Sequence, residues 1–453
     1  MRFPIKPAPS SQIPLDFGID FKRGLNKTPS TTNNKLGQED RLVHDWYRFV
    51  QSFPPHLVRA YLHEFSVHSG SLVLDPFCGT GTTLVECKLN GIQSIGIEAN
   101  PFPMFATRVK TLWEIDPERM LDVAHRVAER ALDTLSAEGI DDEKATSEPD
   151  LCRLNSLPVE LGKLLLKNSI SPLPLHKFLV LCEQLERASA EHGFEHLKLA
   201  LASALVNRVS NLKFGPEVGV GEIKTDAPVI SSWMKEVNRI AVALSTVSKK
   251  HNAGSRVLLA DSREISSILQ RAGVDVVITS PPYPNEKDYT RTTRLESVLL
   301  GFIRSKKELQ NLKRSLVRSN TRGVYKEDTD DLWVAQNKRI AAIADRIEKR
   351  RIELGKTSGF ERLYPRVTKL YFGGMARHFE DLKKVLKPGA RLAYVVGDQA
   401  SYLRVMIRTG ELLAEIAQEL GYELERVDLF RKRFATATGE MLREEVIILK
   451  WPG

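Results

Sequence analysis

Two hydrophobic rhythms alternate along the chain. Short apolar runs bounded by Gly, Pro or Asp read as strands. They occur in SLVLD (71–75), IQSIGIE (92–98), RVLLAD (256–261), DVVITS (275–280), ARLAYVVGD (390–398), YELERVDLFRKR (422–433) and EEVIILKW (444–451). Apolar residues at helical spacing recur in PERMLDVAHRVAERALDTL (117–135), LPLHKFLVLCEQLERAS (173–189) and GELLAEIAQELG (410–421). A further helix starts near Pro54-Pro55, where a missing N–H costs nothing because the first turn has no intrahelical acceptor for it. Strand, glycine loop, helix and strand follow one another from residue 71, which predicts an α/β fold with a mostly parallel sheet and a closing antiparallel hairpin.

The rhythm breaks twice. Residues 113–254 read as a largely helical insertion that contains the glycine-rich loop LKFGPEVGVGEIKTDAP, and 303–370 as a second, basic insertion. The remaining pieces, 41–112, 255–302 and 371–453, form one core. Residues 1–40, rich in Pro, Ser, Thr and Asn without periodicity, read as a flexible arm.

Composition narrows the class. With 453 residues, 42% hydrophobic and 27% charged, the chain is an ordinary globular protein. It has no apolar run long enough to span a membrane and no secretory leader, so a cytoplasmic location is expected. Four cysteines without C-x-x-C spacing predict reduced thiols. His192 and His196 are separated by Gly-Phe-Glu, unlike a zinc-protease helix, and no metal site is expected. The formal charge is +9, and residues 303–370 hold 18 Lys and Arg against 9 Asp and Glu, a surplus equal to that of the whole chain. Such a stretch suits phosphate contacts, and Arg318, Arg322 and Lys326 around a Ser-Asn-Thr turn are the candidate DNA-binding residues.

Chemistry concentrates at the strand ends. In DPFCGTGTT, Gly79 and Gly81 allow a sharp bend and a close backbone approach to a ligand. Asp75, Glu98 and Asp261 end three strands on one sheet edge. An acidic residue ahead of the loop, with no G-K-[ST], repels a pyrophosphate and welcomes a sulfonium or an ammonium. The apolar run 276–278 leaves its strand through Ser280, Pro281, Pro282 and Tyr283. Prolines fix φ and remove donors, so carbonyls stay directed outward beside an aromatic ring.

Together DPFCGTGTT, GIEAN, LLADS and TSPPY resemble the S-adenosylmethionine-dependent amino-methyltransferases of DNA, which act on N4 of cytosine or N6 of adenine. The resemblance covers the core and neither insertion. It implies that Asp75, Pro76, Phe77, Cys78, Gly79, Gly81 and Thr82 hold the methionine part of the cofactor. It further implies that Glu98 takes the ribose, that Asp261 and Ser262 take the adenine, and that Phe53 and Pro54 close over the methionine end. Ser280 to Tyr283 would hold a flipped-out base, with Ser280 leaning toward cytosine because the adenine branch favours Asp or Asn there. Double-stranded DNA is the implied partner, with a cognate restriction endonuclease as a second. The order, glycine loop before PPY, departs from the one usual for this loop spelling but assembles the same sheet. Two other readings stay open: an RNA guanosine-N2 methyltransferase, which usually spells its loop D-P-P-Y-G, and a non-catalytic DNA-binding protein on the same fold.

Overall fold

The computed structural model describes residues 36–37, 40–48, 52–144, 151–215, 217–247, 253–269, 273–435 and 439–453. The arm expected over 1–40 lies almost wholly outside the described residues. In chain order the strands are β1 (Leu72–Asp75), β2 (Gln93–Glu98), β3 (Leu212–Phe214), β4 (Val218–Val220), β5 (Ser255–Leu259), β6 (Val274–Thr279), β7 (Leu386–Gly397), β8 (Glu423–Ala435) and β9 (Glu440–Lys450). Seven of them form one sheet in the order β5-β2-β1-β6-β7-β9-β8. The first five are parallel, and β9 runs antiparallel between β7 and β8. This is the expected parallel sheet with a closing hairpin.

The sheet is buried on both faces, which is why its central strands read as unbroken apolar runs. Successive side chains point to opposite faces. Val276, Ile278, Val395, Val446 and Ile448 pack with helix Pro55–Glu64. Val277, Leu392, Tyr394, Ile447 and Leu449 pack with helices Gly359–Leu382 and Thr409–Glu419.

The strand order reverses between β1 and β6, and the crevice at the carboxyl ends of such strands is where open α/β sheets bind ligands. The glycine loop leaves β1 there and the Ser-Pro-Pro-Tyr loop leaves β6 beside it.

Helices Pro117–Ala137, Pro172–Arg187, Phe194–Ala204 and Ile230–Val247 lie within residues 113–254. They share one apolar cluster with helix Pro101–Lys110 and with Trp46, so the insertion extends the core. Its glycine-rich loop folds into the β3–β4 hairpin. The second insertion differs from expectation at its far end. The boundary placed at residue 370 falls inside the continuous helix Gly359–Leu382, whose buried side from Val367 to Leu382 packs under the sheet. The Asp330 carbonyl fills the space that a Cβ at Gly373 would need, which seats the insertion against this helix.

Candidate active site

The loop after β1 is shaped by its glycines. Gly79 (φ +52°) and Gly81 (φ +87°) adopt left-handed conformations, and a Cβ at Gly81 would lie 2.7 Å from Thr107 Cγ2. Helix Thr82–Leu89 starts directly after Gly81. Thr107 Oγ1 donates to the Gly79 carbonyl at 2.8 Å and Lys110 Nζ donates to the Thr80 carbonyl at 3.1 Å. Burial lowers the Lys110 amine to about 7.

Glu98 reaches this loop from the end of β2. Its Oε2 accepts from the Gly79 amide at 3.0 Å and its Oε1 from the Asn100 amide at 2.8 Å. Burial nevertheless pushes the carboxyl up to about 7. Asp75 lies beneath the loop and is fully buried. Its Oδ1 accepts from Thr279 Oγ1 at 2.6 Å and from the Phe77 amide at 3.1 Å, whereas Oδ2 has no partner. Burial raises Asp75 to about 6.

Asp261 differs from expectation. It lies two residues past the end of β5, and its carboxylate is gripped by Arg263, whose Nη2 lies at 2.6 Å and Nε at 3.0 Å. The same guanidinium bonds Asp330 and the Arg314 carbonyl. In this conformation Asp261 ties the core to the second insertion, and it does not line the cavity described next. Ser262 does. Its carbonyl accepts from His378 Nδ1 at 2.8 Å, so the proton sits on Nδ1 and Nε2 accepts from the Tyr394 hydroxyl.

A cavity of about 570 Å³ joins the two loops. Its wall takes in Phe53, Pro54, Pro76, Phe77, Cys78, Gly79, Thr82, Glu98, Asn100 and Ser262. Ser280, Pro281, Pro282 and Tyr283 belong to the same wall. So do Asn285, Lys287, Tyr289, residues 315–320, Gln399, Arg431, Arg433 and Glu444. Ser280 Oγ donates its only hydrogen to the Val395 carbonyl at 3.0 Å, so toward a ligand it offers lone pairs. The Tyr283 amide donates to the Tyr289 hydroxyl at 3.0 Å, and the Tyr283 carbonyl accepts from the Asn285 amide at 2.8 Å, fixing the loop from within. Burial pushes the Tyr283 hydroxyl well above its ordinary value.

Arg318 is a correction. Expected on the DNA surface, it is 4% exposed; its Nη2 and Nε bond the Asp328 carboxylate at 2.7 and 2.9 Å, and its Nη1 bonds the Lys313 carbonyl at 2.9 Å. The guanidinium closes the 313–328 loop from inside, because its five donors satisfy a carboxylate and several carbonyls at once. Arg322 and Lys326 are exposed. Sequence reasoning missed Tyr289, Lys287 and the β8–β9 side chains. For the first two a signal existed, since both lie in PNEKDYT directly after Tyr283; for Arg431 and Arg433 the only signal was their shared strand face.

The sequence model of a family described as DNA methylase, of the N6/N4 type, matches residues 23–104. Along nearly the whole chain the sequence is 26% identical to the Type II methyltransferase M.BsoBI of Geobacillus stearothermophilus, covering 93% of this chain and 89% of that protein. The chain is similar to the N6/N4 DNA methylases. M.AvaI of Anabaena variabilis is 23% identical over 84% of this chain and 79% of its own length. M.MjaII of Methanocaldococcus jannaschii is 41% identical over 17% of the chain. Among solved structures, TrmN from Thermus thermophilus matches with 12% identity and a TM-score of 0.31, covering 91% of this chain and 52% of that one, too slight a likeness to bear on fold or function.

The cofactor is S-adenosylmethionine, and the cavity fits it. The lining residues of the glycine loop and of the end of β2, 76–82 and 97–100, include the Glu98 carboxylate and no Lys or Arg, with Asp75 and its unpartnered oxygen directly before them. That is a setting for a cation with hydroxyl groups and against a pyrophosphate.

Proposed function

We propose that this chain methylates the exocyclic N4 of cytosine in duplex DNA, on a base turned out of the helix. The observation that carries the reading is the single cavity in which Ser280, Pro281, Pro282 and Tyr283 continue the wall begun by the glycine loop and Glu98. Phe53, Pro54, Phe77, Gly79, Thr82 and Glu98 would hold the cofactor, with Pro76, Cys78 and Gly81 shaping the loop and Asp75 supporting it from below. When bound, S-adenosylmethionine supplies a methyl group on a positively charged sulfur.

The chain's own groups prepare the acceptor. An amine on cytosine is a weak nucleophile because its lone pair is shared with the ring. The lone pairs of Ser280 Oγ, whose hydrogen is committed to Val395, and the Pro281 carbonyl accept the two amine hydrogens. Holding both hydrogens lets the nitrogen gather its lone pair toward the methyl donor. Tyr283 offers a stacking face, worth about 1–3 kcal/mol for a base, on a loop pinned by Tyr289. Neither Ser280 nor the elevated Tyr283 hydroxyl is a base at neutral pH, so alignment and charge placement carry the rate.

Cytosine is favoured over adenine because Ser, with one oxygen, stands where the adenine branch favours Asp or Asn. Relatives named Type II methyltransferases support a role beside a cognate restriction endonuclease. The test is mass spectrometry of nucleosides from plasmid DNA methylated by the purified protein. N4-methylcytosine is expected; N6-methyladenine as the sole product overturns the cytosine assignment, and methylation of RNA alone overturns the DNA reading.

A further inference from the structure

Of the cations on the cavity wall, Lys313, Arg318 and Arg431 are held by carboxylates at 2.8, 2.7 and 2.5 Å, and Lys287 and Arg433 are not so held. Lys287 stands on the loop after β6, four residues beyond Tyr283, and Arg433 stands on β8. The Lys287 backbone is fixed on both sides: its amide donates to Asn285 Oδ1 at 3.0 Å and its carbonyl accepts from Asn320 Nδ2 at 3.2 Å. Its side chain lines the cavity and makes no ion pair among the described residues. Arg433 is 49% exposed, and a Glu444 carboxylate oxygen lies 4.0 Å from its Nε. That carboxylate is already held by both nitrogens of Arg431, at 2.5 and 2.9 Å.

Lys287 and Arg433 therefore line one cavity, Lys287 with no ion pair among the described residues and Arg433 with only a carboxylate that Arg431 already holds. Burial and the Arg433 charge both lower the Lys287 amine, and Glu217 and Glu444 only partly offset them. Like charges on the wall of one cavity disfavour the empty state and favour one in which an anion is bound there.

We propose that Lys287 and Arg433 hold a backbone phosphate of the extruded nucleotide at the mouth of the cavity. The inference rests on the DNA reading above. A base seated against Tyr283 draws its own phosphodiester to this cavity, because sugar and phosphate follow the base out of the stack. An ammonium supplies a point charge there and a guanidinium a directional fork. Nothing in this assignment reads sequence; it secures the nucleotide once it is out.

The experiment uses the full-length protein with S-adenosylhomocysteine and a duplex carrying the sequence that it methylates. Lys287→Gln and Arg433→Gln should each weaken duplex binding about tenfold. Each should lower the slope of log affinity against log salt by up to about 0.9, and the double variant by no more than that, since one phosphate is shared. S-adenosylhomocysteine affinity, by calorimetry, should match wild type in both. Phosphates flanking the target base are then replaced one at a time by uncharged methylphosphonate. At one position the wild type should lose about tenfold, and the variants should lose nothing further. Losses that multiply at every position, or variants that bind as wild type does, overturn the clamp while leaving the methylase reading intact. A wild-type protein that binds no duplex DNA overturns the reading beneath it as well.

Discussion

Replacing Glu98 with Gln changes almost no volume but alters two things at once. Each carboxylate oxygen now accepts a backbone N–H, from Gly79 at 3.0 Å and from Asn100 at 2.8 Å. Glutamine has one acceptor oxygen, so one of these donors would face an NH₂ group and the glycine loop would lose an anchor. In its proposed role the carboxylate also accepts ribose hydroxyls. A hydrogen bond to a charged group contributes about 1.5–3 kcal/mol, so cofactor affinity should fall roughly 10- to 100-fold. The pH dependence is more diagnostic. With the carboxyl near 7 in the cofactor-free protein, it is about one-tenth ionised at pH 6 and about nine-tenths at pH 8. If the ionised form binds, wild-type affinity rises about tenfold across that interval, and Glu98→Gln shows no such rise. The sign for stability is opposite. A carboxyl raised above its ordinary 4.5 keeps a proton in the folded state that the unfolded chain releases. Its contribution is full below about pH 4.5 and is lost as pH rises through about 7, with a ceiling of about 3 kcal/mol. Calorimetric titration of S-adenosylhomocysteine at pH 6, 7 and 8 reads the affinities directly. A wild-type affinity flat across that range, or a Gln variant that keeps the rise, would refute the assignment of Glu98.

Tyr283→Ala should abolish turnover and leave S-adenosylmethionine affinity within about twofold, since an exchange in the base pocket spares the glycine loop; methylation at the wild-type rate would remove the stacking role. Arg318→Ala should lower thermal stability by about 3–5 kcal/mol, because it strands Asp328 in a buried setting, whereas Arg322→Ala and Lys326→Ala should leave the melting temperature alone. If either exposed residue touches a phosphate, its variant lowers the salt slope by about 0.9, read by a binding titration at several salt concentrations. Gly373→Ala should cost more than about 3 kcal/mol, because the obstacle to its Cβ is the Asp330 backbone and not a flexible side chain; a variant that melts as wild type does would show that the 330 segment is free to move.

Much of this protein was written locally. The runs around Leu74, Val277 and Tyr394 are apolar on both faces because the sheet is covered on both, and that pattern alone marks them as central strands. Gly79 and Gly81 stand where φ is positive, and DPFCGTGTT shows this because few residues but glycine accept that backbone. The chemistry of the Ser280–Tyr283 loop follows from residue types that need no partner to be recognised. What the sequence could not determine depends on contacts between distant segments. Charge counting placed Arg318 on a DNA surface, but a count of cations is blind to Asp328 closing over one of them. Strand position placed Asp261 in the cofactor site, but only the folded chain brings Arg263, Asp330 and Arg314 together around it. The insertion boundary at 370 was drawn where the α/β rhythm resumed; the helix runs through it because Val367 to Leu382 meet the sheet face, and a helix continues as long as its apolar side has something to bury against. The cavity wall is the clearest case. Lys287 and Arg433 are 146 residues apart in the chain, and only the folded sheet, with β8 paired to β9, brings both to the wall of one cavity.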